Sequence, residues 1–147
     1  MLKVILVRHG KAELAPDGEK HLGAEGKIQV HSLARKLLKL NLSVDEIYQS
    51  GKPRALETCQ ILVEHLFTGH QILQSDDLGP NSDPSIWGVL LNSYEKDIML
   101  VGHLPYMSEL SAYLLGPGKY LEFNTSDAIC LERDGSSTWN LIWKKGP

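Results

Sequence analysis

The sequence is short of several features that would each fix a function class alone. It holds two cysteines, Cys59 and Cys130, in no CxxC pair and with no histidine at zinc-site spacing, so neither a disulfide framework nor a structural zinc module is indicated. No apolar run reaches membrane-spanning length, and the short apolar run before Arg8 is too brief for the core of a secretory signal. No sign of charge dominates: 15 basic and 18 acidic residues leave a net charge of -3. Their even spread excludes a nucleic-acid footprint and a polybasic membrane patch. There is no internal repeat and no low-complexity segment. These absences leave a cytoplasmic protein with reduced, buried cysteines as the expectation.

What is present is ample apolar material. With 147 residues and 42% hydrophobic content, the chain can bury a sizeable core, and a single domain over 1–147 is expected. Leu2 to Val7 reads as a buried strand that ends abruptly in Arg8-His9-Gly10. The following stretch, to about Gly23, is polar and dotted with Gly and Pro, and reads as a loop. Val30, Leu33, Ala34, Leu37 and Leu38 then recur with helical period, which predicts a helix from about Ala24 to Leu40.

VDEIYQS predicts a second strand, and Ala55, Cys59, Leu62, Val63 and Leu66 form the stripe of a second helix. HQILQS predicts a third strand, and a helix begins near Pro84, with proline in its first turn. DIMLVGH is a fourth strand, again ending in Gly-His, and Leu104 to Leu115 is helical by pattern. The tail holds KYLEF, then AICLERD and TWNLIWK joined across Asp134-Gly135-Ser136 as a hairpin. This alternation predicts an α/β fold with a mostly parallel central sheet flanked by helices on both faces and a C-terminal hairpin.

In such sheets ligands bind beyond the carboxyl ends of the strands. Three candidate groups fall there: Arg8-His9-Gly10, Ser50 to Arg54, and Gly102-His103. Two guanidiniums and two imidazoles describe a pocket for a tetrahedral dianion, with Arg8 and Arg54 as bidentate clamps. Gly10 is expected to let backbone and ligand approach closely. A neutral His9 could attack phosphorus in line and form a covalent phosphohistidine, and nearby positive charge would keep it neutral. Asp76-Asp77 is a plausible pair of metal ligands on paper, but a pocket built from arginines and histidines requires no metal and no cofactor.

These segments resemble the histidine phosphatase superfamily, the phosphoglycerate mutase-like or RHG fold. Its Arg-His-Gly element stands as Arg8-His9-Gly10, its Ser-x-x-x-Arg-Ala-x-x-Thr element as Ser50 to Thr58, and its downstream histidine as His103 in Leu100-Val101-Gly102-His103-Leu104-Pro105. His103-Leu104-Pro105 and Phe123-x-Thr-Ser-x-Ala-Ile129 resemble the small phosphohistidine phosphatases of the SixA type. The resemblance implies His9 as nucleophile, with Arg8, Gly10, Arg54 and His103 holding the phosphoryl group. It also implies a phosphohistidine-bearing protein as substrate, of the kind a histidine-kinase phosphorelay or phosphotransfer system supplies. Members that cleave phosphate esters carry an acid where this chain has Pro80.

Two rival expectations stand beside this one. A small-molecule ester phosphatase or mutase would draw its acid from Asp77 or Asp83, and a phosphohistidine-binding module would not turn over. Lys11 is either a rim cation or a solvated lysine, and Thr125 and Ser126 either line the mouth or form a turn. His21, His31, His65 and His70 read as surface or loop residues, and Trp87, Trp139 and Trp143 as core or sheet-face aromatics.

Overall fold

A computed structural model describes residues 2–147. Six strands form one sheet in the spatial order β5-β4-β6-β1-β7-β8, comprising β1 (Leu2–Arg8), β4 (Glu46–Gln49), β5 (Ile72–Gln74), β6 (Ile98–Gly102), β7 (Ala128–Arg133) and β8 (Trp139–Lys145). Strands β5, β4, β6 and β1 are mutually parallel. Strand β7 runs antiparallel to β1, and β8 returns antiparallel to β7. This is the expected mostly parallel sheet with its terminal hairpin.

Alternation along β1 sorts the core into two layers, as the two-residue side-chain period requires. Ile5 and Val7 pack with Val30, Leu33 and Leu37 of α1 (Ala24–Leu38) and Ala55, Cys59 and Leu62 of α2 (Pro53–Leu66). Val4 and Leu6 face the other way, against Trp87 and Leu91 of α3 (Pro84–Ser93) and Met107 and Leu110 of α4 (Tyr106–Leu115). Cys59 and Cys130 are buried free thiols, one in each predicted place. Trp87 and Trp139 are buried, and Trp143 packs against the α1/α2 layer. Among the described residues, no helix is long and apolar enough to cross a membrane.

The structure corrects several expectations. The stretch before Gly23 is not plain loop: β2 (Ala12–Leu14) and β3 (Lys20–Leu22) form a separate antiparallel hairpin. Three-residue strands carry almost no periodic signal, so Gly and Pro dominate the sequence of this stretch. KYLEF, named in the tail without an assigned element, is irregular: Ser111 Oγ accepts from the Leu121 amide at 3.0 Å and Ser108 Oγ donates to the Leu121 carbonyl at 2.6 Å, so α4 absorbs its backbone polarity. Helix α1 stops at Leu38 and α4 starts at Tyr106, each two residues inside the predicted limit. His31 and His65 lie on α1 and α2 and meet, Nδ1 to Nε2, at 2.9 Å.

Candidate active site

Parallel register brings the three sequence segments together. Arg8 is paired with Gly102 and Gln49 with Val101, so the next residues of β1 and β6, His9 and His103, emerge side by side, with Ser50 at the adjoining strand end. The two imidazole centroids are 5.0 Å apart. The amide of His9 donates to the Gly102 carbonyl at 3.0 Å, which continues the ladder one residue past the strand. A cleft of about 270 Å³ opens there, lined by Arg8, His9, Lys11, Ala12, Lys20, Arg54 and Thr125.

His9 Nδ1 lies 2.7 Å from the Gly10 carbonyl. A carbonyl only accepts, so Nδ1 carries the proton and Nε2 keeps a free lone pair, the tautomer an attacking nitrogen needs. Burial lowers the His9 pKa to about 4 against the opposing Gly10 hydrogen bond, with Arg54, Arg8 and Lys20 adding to the depression. His103 is buried, and its Nε2 meets Ser50 Oγ at 2.6 Å. Burial first, then His9, Arg54, Lys52 and Arg8, push its pKa down to about 3.

Both rings are therefore neutral wherever the fold is ordinarily studied. Ring ¹⁵N shifts of His9 and His103 followed by NMR are expected to stay flat from pH 8 to 5, with His9 titrating near 4. A transition of either ring near the ordinary value of about 6.5 would contradict the site. The linkage has a definite sign: the unfolded chain binds more protons in this window, so both rings withdraw stability as pH falls from about 6.5 toward 4.

The arginines are held from behind. Arg8 Nη1 donates to the Phe123 carbonyl at 2.9 Å, and Asp127 opposes the burial that lowers its pKa. Burial likewise lowers the Arg54 pKa, opposed by Glu19. Arg8 Nε and His103 Nδ1 are buried without a partner among the described residues. Unpaired buried polar atoms are costly; of the two residues, Arg8 lines the cleft, and His103 adjoins it through the His9 ring. With two guanidiniums and Lys20 around two neutral imidazoles, the cleft can bind a tetrahedral dianion and present it to a nucleophilic nitrogen.

Gly10 has a different physical reason from the expected one. A Cβ there would lie 2.8 Å from Val30 Cγ2 and 3.0 Å from the Gly26 carbonyl oxygen, and its amide donates to Thr58 Oγ1 at 3.0 Å. It admits α1 to the end of β1 rather than admitting a ligand. Thr125 lines the cleft, whereas Ser126 is buried, holds a φ of 65° and donates its amide toward the Arg8 and His9 carbonyls. Lys11 lines the rim and pairs with Glu25 at 2.8 Å.

Three further residues contribute in ways the sequence does not mark. Ser50 was legible as a motif residue but its role as the His103 partner was not. Lys20 lies in the stretch dotted with Gly and Pro, where no pattern singles it out. Gln29 accepts from the Lys11 amide at 3.0 Å and from Ser126 Oγ at 3.1 Å, tying α1 to both segments that frame the cleft; nothing in the helical pattern marks it.

Asp77 and Asp83 do not line the cleft. Asp77 sits in a 3-10 turn over Asp76–Leu78, and Asp83 caps α3, accepting from the Ser85 amide at 2.9 Å. That amide bond and the Ser85 hydroxyl hold the Asp83 carboxyl below the usual carboxylate range. No group of three or more candidate metal ligands occurs among the described residues.

Fold and strand-end constellation define a phosphatase built around histidine. The model of the histidine phosphatase superfamily (branch 1) matches residues 4–79, just over half the chain, and the chain belongs to that superfamily. The phosphohistidine phosphatase SixA homolog of Haemophilus influenzae is 27% identical over 170 aligned positions, covering 99% of this chain and 97% of that one. A structure of the protein histidine phosphatase SixA complexed with tungstate superposes with a TM-score of 0.88 at 22% identity, over 98% of this chain and 96% of the other. A phosphoserine phosphatase from Entamoeba histolytica, solved with 3-phosphoglyceric acid, gives 0.72 at 18% identity over 99% and 97%. The same fold thus carries proteins named for a P–N substrate and for a P–O substrate.

Proposed function

We propose that this chain is a phosphohistidine phosphatase acting on a phosphorylated protein side chain through a covalent intermediate on His9. Nε2 of His9 attacks phosphorus in line, the N–P bond to the substrate imidazole breaks, and water then cleaves the phosphoryl group from His9. Arg8, Arg54 and His103 hold the equatorial oxygens through both steps. The observation that carries the reading is the pairing of a neutral, correctly tautomeric His9 with a cleft lined by cations and, among the described residues, by no carboxylic acid. Imidazole leaves far more readily than alkoxide without a donated proton. Likeness to the SixA homolog over nearly the whole of both chains agrees with it.

The test is phosphate release from a purified phosphohistidine-bearing carrier protein with EDTA present. Turnover proportional to enzyme and indifferent to EDTA is the expected result, because guanidiniums supply the charge a cation would otherwise bring. Absence of turnover, or turnover that requires an added divalent ion, would contradict the reading.

A further inference from the structure

The β2–β3 hairpin is too small to stand unaided, since even a longer isolated two-stranded ribbon is marginal in water. It is held by α2. Glu57 Oε1 accepts from the Leu22 amide at 2.8 Å, and Glu57 Oε2 meets His21 Nδ1 at 2.6 Å. The other ring nitrogen, Nε2, meets Asp17 Oδ2 at 2.7 Å in the hairpin turn. Ionised carboxylates only accept, so both ring nitrogens must carry protons, and His21 bridges two anions as an imidazolium through charge-assisted bonds.

The remaining charged groups around the ring keep that balance. Glu13 is its direct partner on β2, Glu19 and Lys20 flank it in the chain, Arg54 stands one turn before Glu57 on α2, and Lys27 of α1 shares a groove with Glu57. Hydrogen bonds to Glu57 and then Asp17 raise the ring pKa. Adjacent strand residues face opposite sides. Fixing His21 on Glu57 therefore turns Lys20 toward the cleft it lines with Arg8, His9 and Arg54.

We propose that His21 is a positioning residue: bridging Glu57 of α2 and Asp17 of the hairpin turn, it latches the hairpin onto the helix that carries Arg54 and so holds Lys20 at the phosphoryl cleft. The latch rests on reading that cleft as a phosphoryl site. It acts on binding of the phosphoryl group and leaves the attacking nitrogen untouched.

The experiment uses inorganic phosphate as probe, with calorimetric affinities for the parent, His21→Gln, Lys20→Met and the double variant, alongside hydrogen exchange. Each single variant is expected to weaken phosphate about fivefold, the worth of one partly exposed ion pair. The double variant should be no weaker than either, because both act through one contact. Amides of residues 12–22 should exchange faster in His21→Gln but not in Lys20→Met. Raising pH through the His21 transition removes a ring proton and one carboxylate bond, so the gap between parent and His21→Gln should close.

Where His21→Gln is poorly folded by circular dichroism, Asp17→Asn, which keeps the acceptor for the Glu19 amide, should show the same loss. Additive losses in the double variant, or unchanged affinity and exchange in His21→Gln or Asp17→Asn, would overturn the latch, as would a parent that binds no phosphate. Weakened phosphate in His21→Gln beside a parent inert toward phosphohistidine would retire the proposed function and keep the latch.

Discussion

Replacing His9 with alanine is expected to remove turnover by a factor on the order of 10⁴ or more while leaving the fold intact. The size follows from the role: a covalent route loses its only attacking group, and the remaining cations can bind the phosphoryl group but cannot accept it. The intact fold follows from the position. The His9 ring stands beyond the end of β1 beside His103, and the backbone contacts that seat this turn, His9 amide to Gly102 carbonyl and Gly10 amide to Thr58 Oγ1, do not involve it. The check is a steady-state rate with a far-UV circular dichroism spectrum, joined to rapid acid-free quenching with labelled phosphohistidine. The parent should trap an acid-labile phosphoryl group on protein and the variant should not. Activity within about tenfold of the parent would remove His9 from the mechanism.

Much of this site can be read from the chain because its chemistry sits where strands end. Val4 to Val7 is an apolar run that meets Arg8-His9 directly, Ile98 to Val101 is one that meets His103 across Gly102 alone, and parallel pairing of Arg8 with Gly102 then forces His9 and His103 together. Residue type supplied the remainder, since arginine and histidine at converging strand ends suit a phosphoryl group and little else. The α1 and α2 stripes were equally legible, because a buried helical face repeats often enough to be seen.

What was hidden depends on contacts between distant segments. The hairpin of Ala12 to Leu22 is made by Glu57, which lies 35 residues beyond Leu22 and reaches back to its amide. The direction of Gly10 against Val30, rather than toward a ligand, and the reach of Gln29 to Lys11 and Ser126 are likewise tertiary facts. The meeting of His31 with His65 required the α1/α2 packing to be known first.

The leaving group decides between a phosphohistidine phosphatase and an ester phosphatase, and here the expected effect is also large. An alkoxide departs slowly unless an acid protonates it, whereas an imidazole departs without that help, so a site lacking a positioned acid should favour P–N over alkyl P–O bonds by at least about 10²- to 10⁴-fold. Pro80 stands where the resemblance places an acid in ester-cleaving relatives. Of the two substitutes, Asp83 is committed to capping α3 and held ionised by the Ser85 amide and hydroxyl. Asp77 belongs to a 3-10 turn outside the residues that line the cleft. The most direct measurement compares kcat/KM for a phosphohistidine protein with that for phosphoserine and 3-phosphoglycerate, in the parent and in Asp77→Asn and Asp83→Asn. A phosphohistidine advantage of a hundredfold or more is expected, with little change in either variant. Comparable rates on the alkyl esters, lost about a hundredfold on substitution of either aspartate, would contradict it and identify that aspartate as the acid of an ester phosphatase.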